Sequence, residues 1–373
     1  MKKLTLSELT HLLEKNCELG HLEKIKRAPI INNVVEETFN YSLEEPVLRK
    51  YDSLVNITSP WSFFTIQPCI RMSDFSRVKK GELYHSPYFN IAPVDFQLST
   101  NPADLSSLHE SSIKRLCYFL IDKIGLEPRN FIVRYFPGGY IDEIDKRIKI
   151  KRYFEEDKIT YKVFTEFGLS SQQFEPVRNS DTLLFTFPKP IEFWVGYRYE
   201  VLYKLENGNL IEIATGEAVK DKRIVDEEGN IIDIQPMNGC IVPVVVGIER
   251  LLIGANNLNS IFECEHLVPI FHFINKKIKD IITTRIFTFS LQAVHIIVTD
   301  SKYLDHLNPS LRNDFNTFLK PIYNAIKNYS FSLEDLEFLL QKNAELQFWI
   351  PELKNSVRQV IDEIVYYMRR KEK

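Results

Sequence analysis

The chain has 373 residues, 44% of them hydrophobic and 26% charged, a composition that carries a sizeable buried core and leaves room for two domains. Its 47 basic and 50 acidic residues give a net charge of −3, which excludes a global polycation for holding nucleic acid. No run approaches the roughly eighteen consecutive apolar residues of a membrane span, and five scattered cysteines without a CxxC pair exclude a disulfide framework or a structural zinc site and point to a reducing, cytoplasmic setting.

The opening MKKLTLSELTHLLEKNCELG lacks the apolar centre of a signal peptide. Thr5 with Glu8 reads as a capping box that starts an amphipathic helix ending near Cys17. Residues 30–100 are rich in β-branched and aromatic side chains and broken by prolines, so they predict antiparallel strands, with no long helix recognisable over 30–60. Within them, Thr65 to Arg71 is an apolar extended run ending in a single arginine, followed by a polar loop and a second extended run from Tyr88 to Ile91.

From Pro102 to Gly125 the apolar residues Leu105, Leu108, Ile113, Leu116, Cys117, Leu120, Ile121 and Ile124 share one helical stripe. Strands are predicted at Phe131–Phe136, Thr182–Phe187, Glu192–Tyr203, Leu210–Ala214 and Cys240–Val246. The densely charged stretch from Tyr140 to Lys162 reads as solvated surface. Residues 219–235 carry a hairpin signal at Glu228-Gly229-Asn230 and read as a peripheral ribbon. Val242 to Leu251, VPVVVGIERL, is a buried-looking strand that empties into a glycine and then an arginine at a helix start. After about Asn257 the character is helical, with Ser332 and Asp335 opening one helix and Ile350-Pro351 preceding the last. The expected organisation is a mixed α+β half over residues 1–257 and an all-helical half over 258–373. Cys264 and His266, two apart, read as core rather than as metal ligands.

Arginines at the ends of two apolar runs, Arg71 and Arg250, make a clamp for a polyphosphate if they reach one site. A guanidinium never loses its charge and presents fork geometry to phosphate oxygens. Such a clamp suits an enzyme that activates a carboxylate with ATP. The competing reading pairs each arginine with an internal carboxylate, Glu249 among them.

Four segments, in order, carry a family resemblance: IQPCIR with Asp74 three residues on, FWVGYRYEVLY (Phe193 to Tyr203), LIEIAT (Leu210 to Thr215) and IVPVVVGIERL (Ile241 to Leu251). Together they resemble the catalytic core of alanyl-tRNA synthetase of the archaeal type, a class II aminoacyl-tRNA synthetase, over roughly residues 1–255. The resemblance implies the class II fold, an antiparallel sheet flanked by helices and followed by an all-α domain, with ATP bent over the sheet together with Mg2+. It implies that Arg71 holds the α-phosphate, with Asp74 a polar partner and Tyr88 and Phe89 supporting the adenine. Arg250, after Gly247, caps the other face of the nucleotide. His85 and Glu212 complete the ATP-contacting set, Glu212 being the candidate for the magnesium. Trp194, Glu200 and Thr215 line or frame the amino acid pocket. Read as residues alone, Tyr88, Phe89 and Trp194 are strand aromatics, which are mostly core.

Departures from the pattern are specific. Pro243 stands where the family has an aspartate that meets the substrate ammonium, Val245 where it has a glycine, Tyr84 where it has a second arginine, and Asn90 where it has a glutamate. Lys79, Lys80 or Arg77 could substitute for the missing arginine, and Glu200 or Glu212 for the missing aspartate. Arg285–Asp300 resembles the first helix of the family's tRNA-recognition domain, but the stretch that follows keeps only Arg312 and Lys320 as basic residues, which weakens the phosphate contacts a tRNA needs. Two functions from different classes follow. One is adenylation of a small amino acid, alanine or an analogue, and its transfer to a tRNA, a carrier protein or a small nucleophile. The other is a non-catalytic paralogue that acts as a binding or regulatory subunit. Neither the amino acid nor the oligomeric state is legible.

Overall fold

The computed structural model describes residues 3–32, 38–184, 193–301, 304, 307–329 and 331–372. In chain order the elements are α1 (Leu6–Leu19), β1 (Glu23–Lys24), β2 (Ile31–Asn32), β3 (Thr38–Phe39), α2 (Glu44–Tyr51), β4 (Trp61–Phe64), β5 (Gln67–Ile70), α3 (Met72–Lys79) and β6 (Tyr88–Ser99). They continue through α4 (Leu105–Tyr118), β7 (Phe131–Tyr135), β8 (Gly139–Tyr140), β9 (Tyr153–Phe154), α5 (Lys158–Glu166), β10 (Phe174–Pro176), β11 (Leu183–Leu184), β12 (Phe193–Lys204), β13 (Leu210–Val225) and β14 (Ile231–Gly247). Six helices close the chain: α6 (Ile248–Asn256), α7 (Val268–Ile278), α8 (Ile281–Asp300), α9 (Pro309–Asn328), α10 (Leu333–Leu346) and α11 (Leu353–Lys371). This is a mixed α+β chain with a large, mostly antiparallel sheet, flanking helices and a helical C-terminal region. It divides into two compact units, one of Met1–Lys26, Pro46–Thr65 and Ile91–Asn257, the other of Arg27–Glu45, Ile66–Asn90 and Leu258–Lys373.

The first unit is built on the strand order β1-β4-β6-β14-β13-β12-β7-β10. Its pairs are antiparallel except at the two edges, where β1 runs parallel to β4 and β10 to β7. Thr5 and Glu8 close the expected capping box on α1, with the Glu8 amide 3.1 Å from the Thr5 hydroxyl and the Thr5 amide 2.9 Å from the Glu8 carboxylate. The predicted stripe on α4 buries Leu105, Ile113, Leu116 and Cys117 against the sheet, and the helix ends in a π-turn over Phe119–Lys123. Two expectations are corrected in length. β13 runs on to Val225 rather than stopping at Ala214, and β14 begins at Ile231 rather than Cys240. The ribbon at residues 219–235 is therefore an extension of the two central strands, closed by a turn in which Gly229 sits at φ 78°. Alternation of burial persists along β13 into the ribbon, from Val219 to Ile224, so that strand does not end where the apolar run ends. The strand expected over Thr182–Phe187 is seen as β11, and its residues from 185 on, with Glu192, lie outside the described residues.

The second unit packs α7, α9, α10 and α11 around α8. α8 is the one described helix long and apolar enough to cross a membrane, and most of it is buried inside this unit, with Phe287, Leu291 and Ile296 fully inside. Ser332 and Asp335 cap α10 as expected. The polar loop expected after Arg71 is instead the helix α3, for which Arg71 is the N-cap; Phe75 is buried in the helical core and Val78 is buried as well. Cys264 and His266 are core residues, 0% and 1% exposed, and all five cysteines are buried free thiols.

Candidate functional site on the polar face of the sheet

Side chains on one face of a strand alternate, so a polar residue at every second position paints a polar stripe on one side of a sheet. β12 supplies Arg198 and Glu200 and β13 supplies Thr215 and Glu217 in this way. Register brings them into rows: Arg134 pairs with Glu200, Glu200 with Thr215, and Thr215 with Val245. In the next row Arg198 faces Glu217. The constant register between β13 and β14, with Gly216 opposite Val244 and Val219 opposite Ile241, sets Pro243 opposite Glu217.

The charges on this face are partly satisfied by one another. Arg134 donates to Glu175 at 2.8 Å and lies 3.6 Å from Glu200, while Arg198 lies 3.7 Å from the other Glu200 oxygen. A β-bulge between Val201 and Leu202 turns Glu212 onto the same face beside Thr215, whose hydroxyl donates to it at 2.6 Å. Gly247 caps α6 and places Arg250 in its first turn, where the guanidinium meets the Glu212 carboxylate at 2.8 Å. The partner of Arg250 is thus Glu212. A Cβ at Gly247 would meet only the Arg250 stem at ordinary distance, and its φ of −85° suits any residue, so nothing in the backbone demands glycine there.

Environment separates the three glutamates. Burial pushes the Glu212 carboxyl up, but Arg250, the Thr215 hydroxyl and Arg198 outweigh it and hold it down at about 2. Glu200 is raised to about 6 by burial and then by the charge of Glu212. Glu217 is raised by burial, which the charge of Arg198 does not offset. Two carboxylates that repel each other across one face, Glu212 and Glu200, offer the kind of oxygen ligands a divalent cation takes. Among the described residues no group of three or more His, Cys, Asp or Glu forms a metal cage.

Trp194 lies on the same strand at an even-numbered position, but it is 2% exposed and its indole nitrogen donates to the Leu54 carbonyl at 2.5 Å. It is sealed in the core next to the polar stripe, not an open wall of a pocket.

The remaining candidates belong to the second unit. Arg71 is exposed, with its guanidinium 5.1 Å from the centre of the half-exposed Phe89 ring, a cation–π contact. Asp74 is buried in the first turn of α3, with Arg77 at 3.7 Å. His85 is held between Arg77 at 2.5 Å and Glu82 at 2.6 Å. Strand alternation splits the expected aromatic pair: Tyr88 points into the helical core, 2% exposed, and donates to Gln347. Only Phe89 is left with an accessible ring. Asn90 is fully buried and accepts from Trp349 at 3.3 Å.

The opposite face of the first unit's sheet carries a second feature, a cavity of about 360 Å³ lined by the start of α4, residues 152–159 and the middle of β12 and β13. Its inner wall holds His109, whose Nε2 lies 3.2 Å from Asp157, and the Thr160 hydroxyl donates to the same carboxylate at 2.6 Å. Sequence reasoning passed over Arg134, Arg198, Glu217, His109 and Asp157. The charged period-two pattern Arg198-Tyr199-Glu200 and Thr215-Gly216-Glu217 was the available signal for the polar face; for His109 and Asp157, 48 residues apart, no local pattern existed.

No family model matches the chain, and no curated protein matches it. Solved structures similar to it include the RNA binding domain of threonyl-tRNA synthetase from Cryptosporidium parvum Iowa II, at 9% identity and a TM-score of 0.40, over 67% of this chain and 64% of that one, which is under two thirds of its length. Pyrrolysyl-tRNA synthetase from Desulfitobacterium hafniense is similar at 13% identity and a TM-score of 0.36, over 70% of this chain and 74% of that one. At such scores the functional reading rests on the residues themselves.

Proposed function

We propose that the chain is a class II synthetase-like ligase that activates a small amino acid, alanine or an analogue, with ATP. The observation that carries this reading is the half-buried polar face on β12 and β13, where Arg250, Glu212, Thr215, Glu200 and Arg198 gather on the strands that bear the resemblance motifs. In the reaction the amino acid carboxylate attacks the α-phosphorus of ATP, an acyl–phosphate bond forms, the α–β phosphoanhydride breaks and pyrophosphate leaves. Arg250, freed from Glu212, has the fork geometry to hold departing phosphate oxygens, where fixed positive charge matters most. Glu212 and Glu200 would hold the Mg2+, which neutralises phosphate charge as pyrophosphate departs. Arg71 at the α-phosphate, Asp74, His85 and Phe89 come to this function from the sequence resemblance. The acyl group then passes to a tRNA, a carrier-protein thiol or a small nucleophile.

A second reading, a paralogue that has lost the reaction, is favoured by a specific observation: Arg250 is already neutralised by Glu212, and Pro243 offers no anion on its strand. Calorimetric titration with ATP and Mg2+ separates the two. The enzyme reading predicts micromolar to sub-millimolar binding that Arg71→Ala and Arg250→Ala each weaken at least tenfold. Absence of binding to the well-folded wild-type protein establishes the second reading instead.

A further inference from the structure

On the polar face, Glu217 differs from its neighbours. Glu200 and Glu212 each have arginine partners within 4 Å, whereas Glu217, half-buried, makes no hydrogen bond or ion pair among the described residues. Taking a carboxylate partly out of water without a donor is costly. The guanidinium across the strand pair offers only its field: Arg198 reaches toward Glu200, and its Nε is buried without a partner. The other flank is apolar, with the Pro243 ring opposite Glu217 and Val245 one step along the same face.

We propose that Glu217 is the anchor for the ammonium group of the substrate amino acid, taking from β13 the task that Pro243 leaves undone on β14. The chemistry fits an alkylammonium better than a metal ion. An ammonium brings N–H donors to a carboxylate that has none, whereas Glu217 offers a metal ion one carboxylate beside apolar neighbours. The flank of Pro243 and Val245 is apolar and suits an aliphatic side chain. The substrate class is therefore a small aliphatic amino acid carrying a free amino group. Glu200, two residues from Arg198 on the adjacent strand, is engaged by Arg134 and Arg198 and is the weaker contender for this task.

This rests on the adenylation reading, and the experiment keeps the two apart. ATP–pyrophosphate exchange is measured for the wild-type protein with the twenty amino acids and β-alanine, and then for Glu217→Gln, Glu217→Asp and Glu200→Gln with the best of them. Glu217→Gln is nearly isosteric and breaks no hydrogen bond, and its thermal melt confirms the fold. We expect Glu217→Gln to raise the KM for the amino acid at least tenfold while the KM for ATP stays within twofold, and Glu217→Asp to recover part of the loss. An amino acid KM within twofold of wild type in Glu217→Gln overturns the anchor and leaves adenylation standing, as does a larger rise in Glu200→Gln. Exchange with no amino acid overturns the adenylation reading, and the anchor with it.

Discussion

His109 and Asp157 show how much one buried pair carries. Both are at most 2% exposed, Asp157 also caps α5 through the Thr160 amide at 3.2 Å, and the His109 Nδ1 has no partner among the described residues. Burial alone would push the Asp157 carboxyl up, but His109 and Thr160 hold it below the usual carboxylate range. Its contribution is therefore present above about pH 4 and is lost as the solution is acidified below that. Asp157→Asn keeps the shape and removes the charge, leaving an imidazole facing an amide. We expect a loss of about 2 kcal/mol in urea denaturation, in the range for a hydrogen bond to a buried charged group; a change under about 0.5 kcal/mol would show that the pair is structurally idle. At this same scale two neighbours on one face are driven apart: Arg250 and the Thr215 hydroxyl hold Glu212 down against its burial, while burial and the charge of Glu212 raise Glu200 in spite of Arg198 and Arg134.

At the scale of elements, the sheet is held by close approach of β12 to β13. Tyr199 is fully buried and paired with Gly216, and a Cβ at Gly216 would land inside the tyrosine ring. Glycine is needed there for space, not for backbone freedom. Gly208, in the turn that joins the same two strands, is the converse case: its φ is 86° and there is open space around it. Gly216→Ala is expected to cost about 3 kcal/mol or more, as an overpacked core does, and Gly208→Ala about 1 kcal/mol, from the left-handed backbone alone. Chemical denaturation of the two variants side by side reads the difference. Equal losses would mean that β12 and β13 can slide apart to admit the methyl group.

At the scale of whole units, the helical unit contains a one-way chain of buried hydrogen bonds. Tyr88 donates to Gln347, Gln347 to Asn343 at 2.7 Å, Asn343 to the Nδ1 of His295 at 3.0 Å, and the Nε2 of His295 to the Leu353 carbonyl at 2.9 Å. The imidazole must stay neutral, because a proton on Nδ1 would face the Asn343 amide donor. Burial accordingly lowers His295 to about 4. Between pH 6.5 and about 4 the unfolded chain binds a proton that the folded one refuses, so stability rises with pH across this window and falls on acidification. The expected loss from this group is about 3 kcal/mol between pH 7 and 4. His295→Gln should remove that part of the pH dependence in thermal unfolding. An unchanged profile would assign the acid sensitivity elsewhere.

The sequence by itself determined the elements whose signals are local: the capping boxes at Thr5 and Ser332, the apolar stripe of α4, the strand that runs into Gly247 and Arg250, and the change to helices after Asn257. These depend on residues a few positions apart, which is as far as hydrophobic periodicity and capping chemistry reach. Only the tertiary structure decided which residues stand together. Register, a relation between strands, put Glu217 opposite Arg198 and Pro243; a bulge turned Glu212 to Arg250; and strand alternation sent Tyr88 into the core and left Phe89 outside. α3 formed where a loop was expected because Phe75 found a helical core more than 180 residues away in the chain, and no window of sequence contains that partner.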